Sequence, residues 1–514
     1  MNSYRRMFDF SRYMLYLYYA DKWAKKSLYF PQYKTRSCRL AKESLPSVHF
    51  YDQDFVEVYD RTWVWIQDCW KPGTKGSGFD GSHLVYEEQE TYHQYYALIA
   101  TFFLVYSNQS FPPYQLIDFM YQRQEPDGAI RGEYSLEDGS PVVSRENPEG
   151  IHPPLFAYAE YNLFNKLGNK KRLKEIVVYL QRYVKWLEVT CKAENGLYVV
   201  PHEATMMYNA VDPRVTYSLS FNAQLAVNAL YLSLIGDILN DKEMSFLYKR
   251  QYFTLKTRIN SLMWNQEDGF YYDLDENEQQ VPLKTIGAYW TLLAEIPNEA
   301  RAELLIAHLK DPGSFGTENP FPTVAVSEPL FSENGNGYHG SVVPFFTFMV
   351  MKGLEKYGQY DFARECAIRH LYFLLDTLHP DGKDIGDIYE AYLPSREGAP
   401  SGSPEMPWFP KKHFLPMAAI STVSMMIEHV LGFNISLPKK TVDWVMPTLE
   451  AMGIEKLSLK RNLITILSSK NTRGWEIRLE SEKLYYFTIS ILDERKSKTL
   501  PIPSGKCSML IDKL

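Results

Sequence analysis

The sequence predicts an all-α fold, a ring of helix hairpins, carrying a small C-terminal antiparallel β domain. Three observations predict it. From about residue 86 to 432 the chain repeats one pattern, an amphipathic helix closed by a turn. No clear strand run separates these helices, so neighbours pair as hairpins. After Pro438 the apolar period shortens from helical to alternating, which is strand periodicity.

The chain has 514 residues, too many for one ordinary domain of roughly 100–200 residues unless that domain is repetitive. An apolar share of 45% and a charged share of 23% are those of a globular protein. Net charge is −7, from 55 basic and 62 acidic residues, with no basic run, so nucleic acid has no electrostatic support as a partner. The 38 Tyr, 28 Phe and 10 Trp suit a carbohydrate cleft, because such rings stack on sugar faces. They suit helix packing equally well. Five scattered cysteines argue against disulfides or zinc, and dispersed histidines give no metal spacing. No nucleotide-binding glycine loop follows a strand, so no cofactor is expected. The Tyr13–Ala20 run is short, Tyr-rich and lacks a cleavage site; it reads as a packing helix, not a signal or membrane span. A cytoplasmic location is the expectation.

Residues 1–85 read as a helical and irregular segment joining the ring, with two helical patterns and a Pro/Gly-rich stretch ending at Gly81. The ring domain, 86–435, carries helical patterns at 88–107, 114–124, 153–167, 170–191, 217–236 and 241–264. They continue at 284–295, 298–310, 340–357, 360–378 and 413–432. Val177, Tyr179, Leu180, Tyr183, Val184 and Leu187 show the spacing. Glu-Pro-Asp-Gly at 125–128 and Lys-Leu-Gly-Asn at 166–169 are turn signals. Four long, Gly-rich polar loops, 127–152, 194–216, 311–339 and 379–412, gather at one mouth. Segments 456–468, 475–480 and 484–492 alternate apolar with polar residues, and 436–514 reads as the β domain.

Within the last long loop, Glu390 stands in Ile-Tyr-Glu-Ala-Tyr-Leu-Pro, with Tyr389 before it. A carboxylate on a loop between helices, walled by aromatics, is where an all-helical enzyme places a base. A surface glutamate is the plain alternative.

Several stretches, in order, resemble one family. They are Phe-Pro-Gln-Tyr-Lys-Thr-Arg-Ser-Cys-Arg-Leu from residue 30, Asp118, Tyr121 and Gln124 before Glu-Pro-Asp-Gly, and Pro153-Pro154. Next come Met263-Trp264 with Asp268-Gly269-Phe270-Tyr271-Tyr272-Asp273, then Lys284-Thr285-Ile286 leading to Tyr289-Trp290. Gly337-Tyr338-His339-Gly340-Ser341-Val342-Val343-Pro344 and the Glu390 segment close the series. This set resembles the six-hairpin (α/α)6 glycoside hydrolases of the trehalase and processing α-glucosidase type, in particular relatives of mannosylglycerate hydrolase, over residues 28–432. The resemblance implies an (α/α)6 toroid and a small carbohydrate as partner. It also implies inverting hydrolysis of a small α-linked glucoside or mannoside. Such chemistry needs a general acid and a general base, two carboxylates roughly 6.5–9.5 Å apart. Glu390 matches the family's base.

The acid departs from the family pattern. Counting from Gly196-Leu197-Tyr198, Tyr208 takes its place, and a phenol of pKa about 10 is a poor donor at neutral pH. Asp212, beside Pro213-Arg214, and Glu203 lie in the same loop and are the candidate replacements, although an arginine neighbour lowers an acid's pKa. As plain alternatives, Asp212 is a turn residue and Glu203 a solvated one. The family's Trp-Asp pair in the first ring helix reads Tyr95-Tyr96 here, with Glu87, Glu88 and Glu90 nearby. Tyr338-His339 replace a Trp-Arg pair. Sugar contacts are expected from Tyr95, Tyr96, Gln124, Asp127, Asn209 and Arg214, and from Trp264, Tyr338, His339, Tyr389 and Trp408; Trp264 to Asp273 also reads as a purely structural hairpin arm. The lost carboxylates point to a second function, a carbohydrate-binding pseudoenzyme, and a phosphorylase or lyase on the same scaffold is a third.

Overall fold

The computed structural model describes residues 45–510 apart from 74, 75, 80, 87–89, 108, 109, 447, 448, 460, 461 and 493–495. The Tyr13–Ala20 run, the stretch 30–44, Glu87 and Glu88 lie outside the described residues.

Twelve α-helices run along the described chain: α1 Gln53–Cys69, α2 Gln94–Leu104, α3 Tyr114–Gln122, α4 Phe156–Leu167, α5 Lys170–Cys191 and α6 Leu219–Leu239. They continue as α7 Lys242–Arg258, α8 Trp290–Leu293, α9 Glu299–Lys310, α10 Pro344–Lys356, α11 Tyr360–Leu378 and α12 Leu415–Ala419, the last extended by a π-helical stretch Ile420–Val430. Side chains fix the starts. Asp52, Asn169, Ser218, Asp241 and Asn298 each accept a backbone N–H of the first turn, and Pro344 opens α10. Gly168 and Asn240, both left-handed, close α4 and α6.

Even- and odd-numbered helices differ in composition, and so in burial. Every residue of α2 and α8 is buried, and α10 and α12 nearly so. By contrast α9 buries only Ala302, Leu305, Ile306 and Leu309, a stripe at helical spacing. The packing follows: α2 meets α4, α4 meets α6, α6 meets α8, α8 meets α10, α10 meets α12, and α12 returns to α2. The even helices thus contact one another in a cycle, and α1, α3, α5, α7 and α11 each pack against members of it. Helix α6 is long and apolar enough to cross a membrane, and most of it is buried within this cycle.

The segment before residue 86 contributes α1, which packs against α11 and α12. One expectation changes. The 88–107 pattern becomes helix only from Gln94, because Thr91–His93 pair as a strand with Glu133–Ser135.

The C-terminal region folds as two sheets. Strand β1, Ser47–His49, comes from the start of the described chain; β2 Phe433–Ser436, β3 Thr441–Met446, β4 Met452–Leu459 and β5 Asn462–Asn471 follow. Then come β6 Gly474–Ser481, β7 Tyr485–Ile491, β8 Lys496–Ile502 and β9 Gly505–Leu510. One sheet has the order β1-β4-β5-β6-β9 and the other β2-β3-β7-β8. Pairing is antiparallel throughout except that β3 and β7 run parallel. The β domain therefore recruits β1 from the chain's other end, which no local pattern could announce.

Candidate active site

Glu390 lies in the connection between α11 and α12, held in extended conformation by flanking backbone. Its N–H donates to the Lys411 carbonyl at 3.0 Å, Tyr389 bridges Lys412, and Tyr392 bridges Val342 just ahead of α10. These contacts turn the side chain inward, and it is fully buried. One carboxylate oxygen, Oε1, accepts the Tyr96 hydroxyl at 2.7 Å; the other, Oε2, accepts the Lys411 N–H at 3.4 Å. Tyr96 reaches it from the first turn of α2.

Aromatic rings wall the carboxylate. Tyr208 packs edge-on against Tyr338 at 5.0 Å and Trp408 at 5.6 Å, Tyr338 against Phe409 at 5.1 Å, and Tyr96 against Phe414 at 4.9 Å. Trp408 is 46% exposed and offers an indole face on which a sugar ring can stack. Tyr208 sits at φ +44°, a left-handed conformation costly for a non-glycine residue, which marks its position as enforced by the surroundings. Burial pushes its phenol well up from the ordinary tyrosine value; Glu390, Glu133 and Glu203 add to the rise, and contact with Tyr96 partly offsets it. Burial and Glu390 likewise raise Tyr96 and Tyr338. The Tyr95 hydroxyl is buried in the same region without a hydrogen-bond partner. Chemically, the group offers one carboxylate able to accept a proton, several phenols that hold theirs, and apolar faces.

The structure brings Glu390, Tyr95, Tyr96, Tyr208, Tyr338 and Trp408 together, with Glu203 acting on Tyr208 from the loop rim, where it accepts the Ser144 hydroxyl at 2.5 Å. Tyr389 adjoins but faces Tyr392. Other expected site residues serve the fold. Asp212 is held by Arg214 through two side-chain hydrogen bonds of 2.9 and 2.8 Å, which keep its carboxyl below the usual range, the wrong direction for an acid. Arg214 is spent on that pair. Asn209 and His339 tie two loops: the Asn209 amide accepts the Tyr338 N–H at 2.8 Å and donates to the Asn336 carbonyl, while His339 Nε2 meets the Asn209 carbonyl. Gly337, at φ +69°, makes room, since a Cβ there would fall 2.8 Å from the Asn209 amide. Gln124 donates to the Gly128 and Tyr179 carbonyls, and Asp127 accepts the Ala129 N–H within its own turn. Trp264 packs on Tyr271 in a two-stranded arm, under the Arg301 guanidinium. Glu90 is exposed.

Sequence reasoning missed four neighbours. Lys411 places its ammonium 5.6 Å from the ring centroids of Tyr96, Trp408 and Phe414, a cation–π arrangement. His93, one turn before Tyr96, stacks on its ring at 4.3 Å, and His152 lies 4.5 Å from His93. Glu133 completes that group, with one oxygen 3.6 Å from His93 Nε2. The expectation that no histidines gather therefore changes: the fold assembles His93, Glu133 and His152, which are far apart in sequence. Lys411 was visible only as half of a Lys-Lys pair.

Residues 114–408 match the family model described as the mannosylglycerate hydrolase MGH1-like glycoside hydrolase domain, and residues 432–514 match the model of the trehalase C-terminal domain. An uncharacterized protein of Borreliella burgdorferi is 48% identical over 478 residues, 92% of this chain and 100% of that one. Among solved structures, a sialidase superposes with a TM-score of 0.68 at 17% identity, over 92% of this chain and 44% of its own. The glucose complex of GH63 mannosylglycerate hydrolase from Thermus thermophilus gives 0.56 at 19% identity, over 71% of this chain and 99% of its own. At such identities the two structures speak for the fold alone.

Proposed function

The chain belongs to the mannosylglycerate hydrolase MGH1-like glycoside hydrolase family, and from that premise we propose that it hydrolyses a small α-linked glucoside or mannoside with inversion. In this reading the cycle of buried helices is the inner wreath of an (α/α)6 toroid, and the sugar enters at the end that carries Glu390. Glu390 is the general base that activates water. Trp408, Tyr338 and Tyr208 supply stacking faces. Glu203, exposed on the loop rim, is the proposed acid, since Asp212 is held by Arg214. The observation that carries the reading is the fully buried Glu390 carboxylate, hydrogen-bonded by Tyr96 and walled by aromatic rings.

A specific observation favours a second reading. Tyr208 stands where the family's acid is expected, and its surroundings make the phenol hold its proton more tightly. A carbohydrate-binding pseudoenzyme would keep the stacking faces and lack protonation of the leaving oxygen. Calorimetry separates the two when run beside an assay of aryl and natural α-glycosides. Hydrolysis expects sugar release by the wild type and loss in Glu390→Gln; the pseudoenzyme expects binding, weakened by Tyr338→Ala, with no release by either protein. Neither binding nor release across the panel would remove both.

A further inference from the structure

We propose that His93, Glu133 and His152 form a binding site for one divalent transition-metal ion of the zinc class, beside the carbohydrate pocket. The hydrolytic reading gives none of the three a role, so the two stand or fall separately. Each residue offers one donor atom, and the three donors lie within 4.8 Å of one another. A four-coordinate zinc ion with bonds of about 2.0–2.2 Å holds its donors roughly 3.4 Å apart. The His93 Nε2 to Glu133 Oε1 separation of 3.6 Å is already close to that, and the remaining contraction is of the order of an ångström.

Four features go beyond proximity. His93 and His152 are 9% and 7% exposed, and each keeps a buried Nδ1 with no hydrogen-bond partner. His93 faces Glu133 through Nε2, and each ring offers one nitrogen to the shared space, in a cluster that also holds two unpartnered buried nitrogens. Burial holds both rings neutral, His152 down to about 3, and the neutral ring is the form that ligates. The Thr91 hydroxyl donates to Glu133 Oε2 at 2.8 Å, orienting the carboxylate with Oε1 left toward His93, as outer partners of metal ligands do. Finally, His152 lies flat over Gly132: a Cβ there would come within 2.3–2.5 Å of the imidazole ring. The position admits glycine because the ring occupies the space.

Donor chemistry selects the ion. Two imidazoles and one carboxylate suit zinc, cobalt or nickel, whereas calcium and magnesium prefer oxygen sets. Three protein donors leave a four-coordinate ion one open position, for water or a hydroxyl of a bound ligand.

The test uses tag-free, full-length protein stripped with chelator and titrated with Zn2+ by calorimetry, with Co2+ absorption as a second reading. One equivalent is expected, with intense visible Co2+ bands marking a four-coordinate site. His152→Ala and Glu133→Gln are expected to lose at least tenfold in affinity. Gly132→Ala keeps every donor and is expected to lose as much by displacing the His152 ring; it carries the test if His152→Ala fails to fold. Absence of a stoichiometric site in the wild type overturns the proposal, as does unchanged affinity in the folded variants.

Discussion

Glu390 and Asp212 show how local partners decide what a carboxylate can do. Glu390 is turned inward by backbone pairing to Lys411 and accepts the Tyr96 hydroxyl. Asp212 is bound by an arginine two residues on, a pairing that solvent exposure and sequence proximity make independent of any ligand. Asp212→Asn is therefore expected to leave turnover of an α-glycoside within about threefold of wild type, while Glu203→Gln lowers it by about 10²-fold or more, the range for general acid catalysis; the reverse order in a rate assay would reassign the acid. Asp273 has a different constraint. Burial raises its carboxyl to about 6 while it accepts the Leu219 N–H at the start of α6. The folded state thus binds the proton more tightly than the unfolded chain, so this group's contribution to stability falls as pH rises from about 4 to about 6 and is flat above. The increment is at most about 2 kcal/mol, reduced from the full shift because the side chain is only partly shielded. Asp273→Asn keeps an acceptor without the charge, and denaturation across pH 4.5–6.5 is expected to show a flatter profile than wild type.

Among elements, helical spacing and turn signals made most helices legible, although the pattern read every one as amphipathic while α2 and α8 are buried all round. The exceptions have physical causes. The 284–295 pattern forms a 3-10 turn and one helical turn, with Gly287 packed closely on Ser220. Buried ion networks were not legible, since their members are distant in sequence. Asp118 and Tyr121, which carry part of the family resemblance, join Arg172 and Glu160 in one such network across α3, α4 and α5. A second lies among α4, α10 and α12: Glu428 is in contact with Lys166, Lys352 and the Tyr106 hydroxyl. Burial opposes ionisation of Glu428, but the two ammonium groups outweigh it and hold its carboxyl well below the usual range. Glu428→Gln leaves two buried cations with one partner fewer, and a loss of about 3–5 kcal/mol is expected, read as a lower denaturant midpoint. A change under about 1 kcal/mol would mean the network is solvated.

For the whole molecule, the alternation of helices and the change of period near residue 438 made the two-part architecture readable from one end of the pattern to the other. The recruitment of β1 into the C-terminal sheet was not readable, because strand pairing between residues 47–49 and 453–455 is set by tertiary packing. The same holds for the site: Glu390 and its tyrosine neighbours carried a local signature, whereas His93, Glu133 and His152 meet only because α2, the Glu133 strand and the approach to α4 end at one place. The functional account depends instead on Tyr96, Tyr208, Tyr338 and Trp408 gathering around Glu390. The most direct measurement follows the anomeric proton signals of an α-glucoside or α-mannoside by NMR during hydrolysis, with wild type and Glu390→Gln side by side. The account expects the β-anomer to appear first with wild type, and the rate to fall by about 10²–10⁴-fold in Glu390→Gln. Initial release of the α-anomer, or equal rates from the two proteins, would contradict it.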